Sequence, residues 1–156
     1  MIPEIGHFAL ILSLVTAILL AILPLAGSLR RSPGWILMAR PLAINMLLMV
    51  AISYACLTWA SISSDFSVAY VANHSNSHLP LIYRISGVWG GHEGSLLLWA
   101  LILALWTGAV AVRTRHLPDV MSARVLSVMG MVSLGILLFL LLTSNPFERM
   151  FPAPLE

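Results

Sequence analysis

This sequence predicts an all-α polytopic membrane protein with four transmembrane helices, on three observations. Hydrophobic residues fill 60% of its 156 positions and charged ones 9%, with a mean hydropathy of +0.97; water-soluble domains do not keep such a balance. Four windows, Ile5 to Leu29, Pro41 to Ser64, Gly94 to Val112 and Val125 to Phe147, hold no Asp, Glu, Lys or Arg. Each can cross a bilayer core of ~30 Å at ~1.5 Å per helical residue. Six of the eight arginines sit in the first and third connections, so the positive-inside bias places those connections in the cytoplasm and both termini outside, in the periplasm of a Gram-negative bacterium. The basic residues are dispersed, without the clustering and aromatic interleaving of a nucleic-acid surface, which excludes DNA and RNA and leaves membrane lipid as the first partner.

The spans are expected over about residues 5–27, 41–62, 94–112 and 122–143. The first reads as a retained helix, not a cleaved signal. Leu25-Ala26-Gly27-Ser28 looks like a cleavage site, but Met1 to His7 carries Glu4 and no Lys or Arg, and Arg30 and Arg31 follow the run. In the second, the single cysteine, Cys56, lies among Tyr54, Leu57 and Trp59 and reads as a small packing residue. The long connection carries a short surface helix capped by Asp65 and running through Phe66, Ala69, Tyr70 and Asn73, with Trp59, Tyr83 and Trp89 marking the interface. Ala100, Ala104 and Gly108 in the third span, and Ala123, Ser127 and Gly135 in the fourth, form rows that read as packing seams. Such seams imply more helical partners than four spans supply. Asn145-Pro146 stops the fourth span, and Pro152 and Pro154 keep the tail extended.

The densest chemistry is Trp89-Gly90-Gly91-His92-Glu93-Gly94-Ser95, where an imidazole and a carboxylate stand within one turn of a segment entering hydrocarbon, a costly placement. His92-Glu93 lacks the second histidine of a zinc-protease helix, because Leu96 and Leu97 occupy that region. No phosphate loop, serine elbow or close carboxylate pair occurs either. What the stretch offers is a flexible approach through Gly90 and Gly91, a histidine, Glu93 near a helix start whose free amides favour anions, and flanking indoles. A porphyrin with propionates suits these parts. In the plainer reading Glu93 and Ser95 cap the helix, His92 bonds a neighbour and the tryptophans are belt residues; on the residues alone it weighs more. His74 and His78 read as a solvated turn rather than a metal pair, because Asn76, Ser75, Ser77 and Pro80 surround them. His7 and His116 read as interfacial flanks and Arg84 as a headgroup contact.

Several separated stretches, in order, resemble the N-terminal part of CcmF/NrfE-type cytochrome c haem lyases, within the CcmF/CcsA haem-handling family. They are Met1-Ile2-Pro3-Glu4-Ile5-Gly6, Asp65-Phe66-Ser67-Val68-Ala69-Tyr70-Val71-Ala72, Leu79-Pro80-Leu81-Ile82-Tyr83-Arg84, the Trp89 to Ser95 corner, and Ser144-Asn145-Pro146-Phe147. The resemblance implies a subunit or fragment of a lyase in the bacterial inner membrane, or the mitochondrial inner membrane in plants. Such an assembly handles haem b and apocytochrome c for thioether attachment, takes haem from the chaperone CcmE, and works with CcmH and with the rest of CcmF or a second lyase polypeptide. Holding haem and apoprotein in register is how it lowers the barrier.

The family's tryptophan-rich segment containing Trp-Asp-Pro, with its flanking ligand histidines, has no counterpart in these 156 residues. The resemblance therefore assigns no catalytic residue and no metal ligand here. Its carry-over is Trp89, Gly90, Gly91, His92, Glu93, Gly94 and Ser95 as an outer vestibule near haem. The chain is expected to be a fragment, a truncated product or one piece of a split lyase, unable to ligate haem alone. A docking module that binds partner proteins and never touches haem is the alternative. A small transporter ranks last, since the spans hold no buried acidic residue for an ion path.

Overall fold

The computed structural model describes residues 1–150, without the side chain of Arg115. Among them the chain forms α1 (Ile2–Arg30), α2 (Pro33–Leu37), α3 (Ala39–Ile62), α4 (Ala69–His74), α5 (Leu81–Gly87), α6 (His92–Arg113) and α7 (Asp119–Leu142), with a 3-10 turn at Thr114–His116. Four stretches are long and apolar enough to cross a membrane: α1, α2 with α3, α6 and α7. Helix α1 packs between α3 and α7, and α6 closes the ring against both of those. Successive spans reverse direction, so every neighbouring pair is antiparallel, as in an up-down bundle.

Local chemistry accounts for the ends of these helices. Pro3 sits in the first turn of α1, where a missing N–H costs nothing. That helix stops at Arg31, which takes a left-handed conformation (φ 55°, ψ 36°) and returns its N–H to Gly27; the Ser32 amide reaches the same carbonyl at 3.0 Å. A non-glycine residue there costs roughly 1–2 kcal/mol. In exchange the chain turns sharply into α2, whose Trp35 packs on Gly27 and lies 5.7 Å from the Arg30 guanidinium.

Small residues let the spans approach. A Cβ on Gly130 of α7 would stand 3.0 Å from the Ala21 nitrogen of α1, and one on Gly108 of α6 would stand 2.8 Å from Leu47 of α3. Gly6 is covered by the Phe147 ring and the Cys56 Cβ, at 2.5 and 2.8 Å from where its own Cβ would be, so Cys56 serves packing. The row expected on the fourth span is corrected. Ala123 and Ser127 are buried, but Gly135 is exposed, because at ~100° per residue it lies well around the helix from Ala123. Gly130 takes its place in the seam. Between α1 and α3, the Asn45 amide donates to the Thr16 hydroxyl at 3.0 Å, an interhelical bond worth about 0.6 kcal/mol in hydrocarbon.

The two ends of the bundle are tied differently. At the arginine-rich end Arg40 pairs with Asp119 at 3.1 Å and Arg124 donates to the Ser28 hydroxyl at 3.2 Å. At the other end the long connection meets the segment after α7. Val68 and Arg149 form an isolated antiparallel bridge, with the Ala69 amide donating to Glu148 at 2.8 Å and the Met150 amide to Ser67 at 3.0 Å. Arg149 also pairs with Glu4 and, at 3.8 Å, with Asp65. This overturns the expected Asp65 cap. Val68 is extended and bridges the tail, α4 starts only at Ala69, and the Asp65 carboxylate instead accepts the Ser67 amide at 3.3 Å. Pro152 and Pro154 lie outside the described residues.

Candidate functional site

The long connection folds back so that α4 lies under the start of α6, and Tyr70 is the residue that joins them. Its side chain is 4% exposed. The phenol donates to the Val88 carbonyl at 2.7 Å, with Gly87 O at 3.2 Å, and accepts the Gly91 amide at 3.1 Å. Gly91 is the N-cap residue of α6 and no side chain caps that helix from within. Tyr70 therefore does from a distance what the N3 Glu or Gln of a capping box does elsewhere: it satisfies the backbone amide of the N-cap residue. Burial pushes the phenol's pKa upward, the Gly91 amide opposes that shift, and the nearby negative charge of Glu93 adds to it.

Two glycines of the corner, Gly91 and Gly94, are required by space. Neither Gly90 nor Gly91 has a positive φ, so neither serves a left-handed turn. A Cβ on Gly94 would fall 1.8 Å from Val88 O and 2.5 Å from the Tyr70 hydroxyl; one on Gly91 would fall 2.5 Å from His74 Nε2 and 2.8 Å from the Tyr70 ring. Real contacts do not come so close. Gly90 is different, since its Cβ would have no neighbour nearer than 3.4 Å.

His74 belongs to this corner as well: it is solvent-exposed, as expected, but closes α4 instead of lying in a turn. Its ring stacks on Tyr70 with centroids 4.5 Å apart and planes 23° from parallel, and its Nδ1 lies 3.0 Å from the Tyr70 carbonyl. His78 does not join it, because α4 ends at His74 and Ser75 is extended. Among the described residues no cluster of three or more metal-ligating side chains occurs. Arg84, expected at lipid headgroups, instead ties the connection together by donating to Leu79 O at 3.0 Å, to Ile62 O at 3.2 Å and to Ser77 O.

The other face of the corner is open. His92 is exposed and meets Phe139 of α7 edge-on, with centroids 6.1 Å apart. Trp89 is 47% exposed, Gly90 is exposed beside it, and Glu93 is half-buried at the first turn of α6. Ser95 does not cap α6: its hydroxyl donates back to the His92 carbonyl at 2.9 Å. Trp99 faces outward from α6, one turn beyond the corner. Sequence reasoning singled out residues 89–95 and did not place Tyr70 and His74 against them; the signal available was an aromatic residue and a histidine four apart, on one helical face. His7, read as an interfacial flank, meets Phe147 edge-on at 6.3 Å beside a cleft of about 380 Å³ that Glu4, Asn145 and Arg149 also line.

A membrane bundle carrying a glycine corner at the mouth of its third span is the class that fold and site define, and comparison narrows it. Residues 89–156, beginning at Trp89, match the family described as cytochrome C assembly protein. The chain is 58% identical over 97% of its length to the cytochrome c-type biogenesis protein CcmF of Pseudomonas aeruginosa, of which it covers 23%. It is 47% identical over 97% of its length to CcmF of Escherichia coli, covering 24%, and 41% identical over its whole length to NrfE of Haemophilus influenzae, covering 25%. A solved structure titled cytochrome c heme lyase CcmF superposes with a TM-score of 0.89 at 27% identity, over 95% of this chain and 25% of that one. Over nearly its whole length the chain is similar in sequence and fold to the N-terminal portion of CcmF-type cytochrome c-type biogenesis proteins. It spans about a quarter of the length of these relatives.

Proposed function

We propose that these residues form the periplasmic mouth of a CcmF-type haem lyase in the bacterial inner membrane, with residues 63–91 and both termini of the segment on the export side. The observation that carries this reading is the two-faced corner. Tyr70 and His74 pin one face so closely that Gly91 and Gly94 admit no Cβ, and the opposite face presents Trp89, Gly90 and His92 to the outside. A surface fixed from behind and open in front suits the positioning of a planar ligand. Haem b fits the donor set: an indole and bare glycine backbone for the ring, the first-turn amides of α6 for a propionate, and the His92 imidazole at its edge. Haem supplies vinyl groups to which the cysteine thiols of apocytochrome c add; this chain's part is to orient the ring and exclude water, with iron ligands provided by the rest of the lyase. CcmE as haem donor, and CcmH with apocytochrome c as acceptors, are the partners this reading requires.

A second reading has its own support. Helix α5 buries none of its residues, and Leu81, Ile82 and Tyr83 stand 56%, 76% and 62% exposed, an apolar face suited to docking a partner protein without touching haem. One experiment separates the two. In the complete lyase, His92→Ala with Glu93→Ala is expected to lower haem occupancy and cytochrome c yield several-fold while CcmH still co-purifies. Normal haem and yield with loss of co-purification would establish the docking reading instead.

A further inference from the structure

Between α6 and α7 runs a groove of about 410 Å³, lined by Trp99, Ile102, Leu103, Trp106, Val132 and Ile136. The lining residues of α6 fall at intervals of three, four and seven, and those of α7 four apart, which is the spacing that receives the side-chain ridge of another helix. Both indoles stand clear of the bundle, Trp99 68% and Trp106 65% exposed. Trp99 lies seven residues after the start of α6 at His92 and Trp106 seven before its end at Arg113, so each is held ~10 Å in from a helix end. Tryptophan at the level of headgroups explains itself. An indole N–H carried that far into hydrocarbon needs an acceptor, and acyl chains have none.

Gly135 gives a second, independent indication. It is exposed on α7 beside Ile136, and a Cβ there would meet nothing within 4 Å, whereas Gly130 is pressed onto the backbone of α1. Close approach inside these four spans explains Gly130 and leaves Gly135 without a packing role. Bare helix backbone of this kind is where another membrane helix comes nearest.

We propose that this groove seats a further membrane-spanning helix of the complete lyase, crossing α6 and α7 at Gly135 with its side chains between Trp99 and Trp106. The occupant comes from the roughly three quarters of the relatives' length to which these residues have no counterpart, the relatives being covered to only 23–25%. The proposal rests on the chain's place in a CcmF-type lyase. Its test can fail while that place stands.

The complete lyase is prepared with the photo-reactive residue benzoylphenylalanine at Trp106 and, in a second preparation, at Ile102, each checked for cytochrome c maturation in cells. On illumination, both are expected to cross-link to an apolar segment of the lyase beyond residue 156, identified by mass spectrometry. Adducts to lipid alone, to a second copy or to a different protein would overturn the assignment. Gly135→Leu supplies an independent measurement: accumulation of assembled lyase is expected to fall at least fivefold, and unchanged accumulation would contradict close approach at that position. Failure of these outcomes in a lyase that still matures cytochrome c removes the groove's occupant and leaves the function untouched; loss of any link between this segment and cytochrome c maturation would remove the function itself.

Discussion

The two faces of the corner at Gly91 obey different rules although they share seven consecutive residues. The face toward α4 is close-packed: Gly91 and Gly94 sit against Tyr70 and His74 with no space for a methyl group, and the phenol satisfies groups on both sides of the turn. The face away from α4 carries the ionisable and aromatic residues, His92 and Trp89, with room around them. Gly91 and Gly94 thus belong to architecture, whereas Trp89, Gly90 and His92 are the residues left open for the proposed contact with haem. A motif that looks like a single signature divides into a packed half and an open half.

Substitutions should break that contrast in a defined order. Gly94→Ala has the largest expected effect. Its Cβ would overlap Val88 O, so the connection must move away from α6, at a cost of about 1–3 kcal/mol or more for overpacking; thermal unfolding in detergent is expected to show the loss, and an unchanged midpoint would mean the corner is not packed this way. Tyr70→Phe comes next. It keeps the ring on His74 but strands the Gly91 amide and Val88 carbonyl, about 1–3 kcal/mol for buried groups left unpaired. Hydrogen exchange at Gly91 should accelerate accordingly. The same phenol sets a pH dependence: its folded pKa is raised above the ordinary 10.0, so its contribution is complete below about pH 10 and is lost as pH rises through the raised value. Melting should therefore show no Tyr70-dependent change between neutrality and pH 9.

His74→Ala should cost less, about 0.5–1.5 kcal/mol for a lost stacked pair, and it sharpens the comparison because it widens the space over Gly91. The double variant His74→Ala with Gly91→Ala is expected to be more stable than the sum of the two single changes predicts, read as a coupling in thermal unfolding. Additive effects would place the two residues out of contact. Gly90→Ala should be smallest, near neutral in stability, since the nearest atom to its Cβ is 3.4 Å away.

How much of this was legible beforehand follows from the range of the forces involved. The four spans were readable because hydrocarbon imposes its demand residue by residue, and any charge-free run long enough to cross announces itself. The Tyr70 corner was not. It depends on a connection of nearly thirty residues folding back until α4 reaches α6, and nothing local in Val68 to Asn73 specifies that return. The same limit explains Asp65, which looked like a helix cap until the segment around Arg149 claimed residues 67–69 as a partner. For Gly130 and Gly135 the difficulty was angular: five residues apart, they lie on different faces of α7, and only the position of α1 decides which is the packing glycine.

The central claim is that the corner opens on the export side of the membrane, and accessibility to a membrane-impermeant thiol reagent tests it most directly. In the complete lyase with Cys56 and any other cysteine replaced, a single cysteine at His92 should react with an impermeant maleimide added to intact spheroplasts, and one at His116 should react only after lysis. Labelling of position 116 but not 92 in intact cells would invert the bundle and contradict the haem-handling assignment.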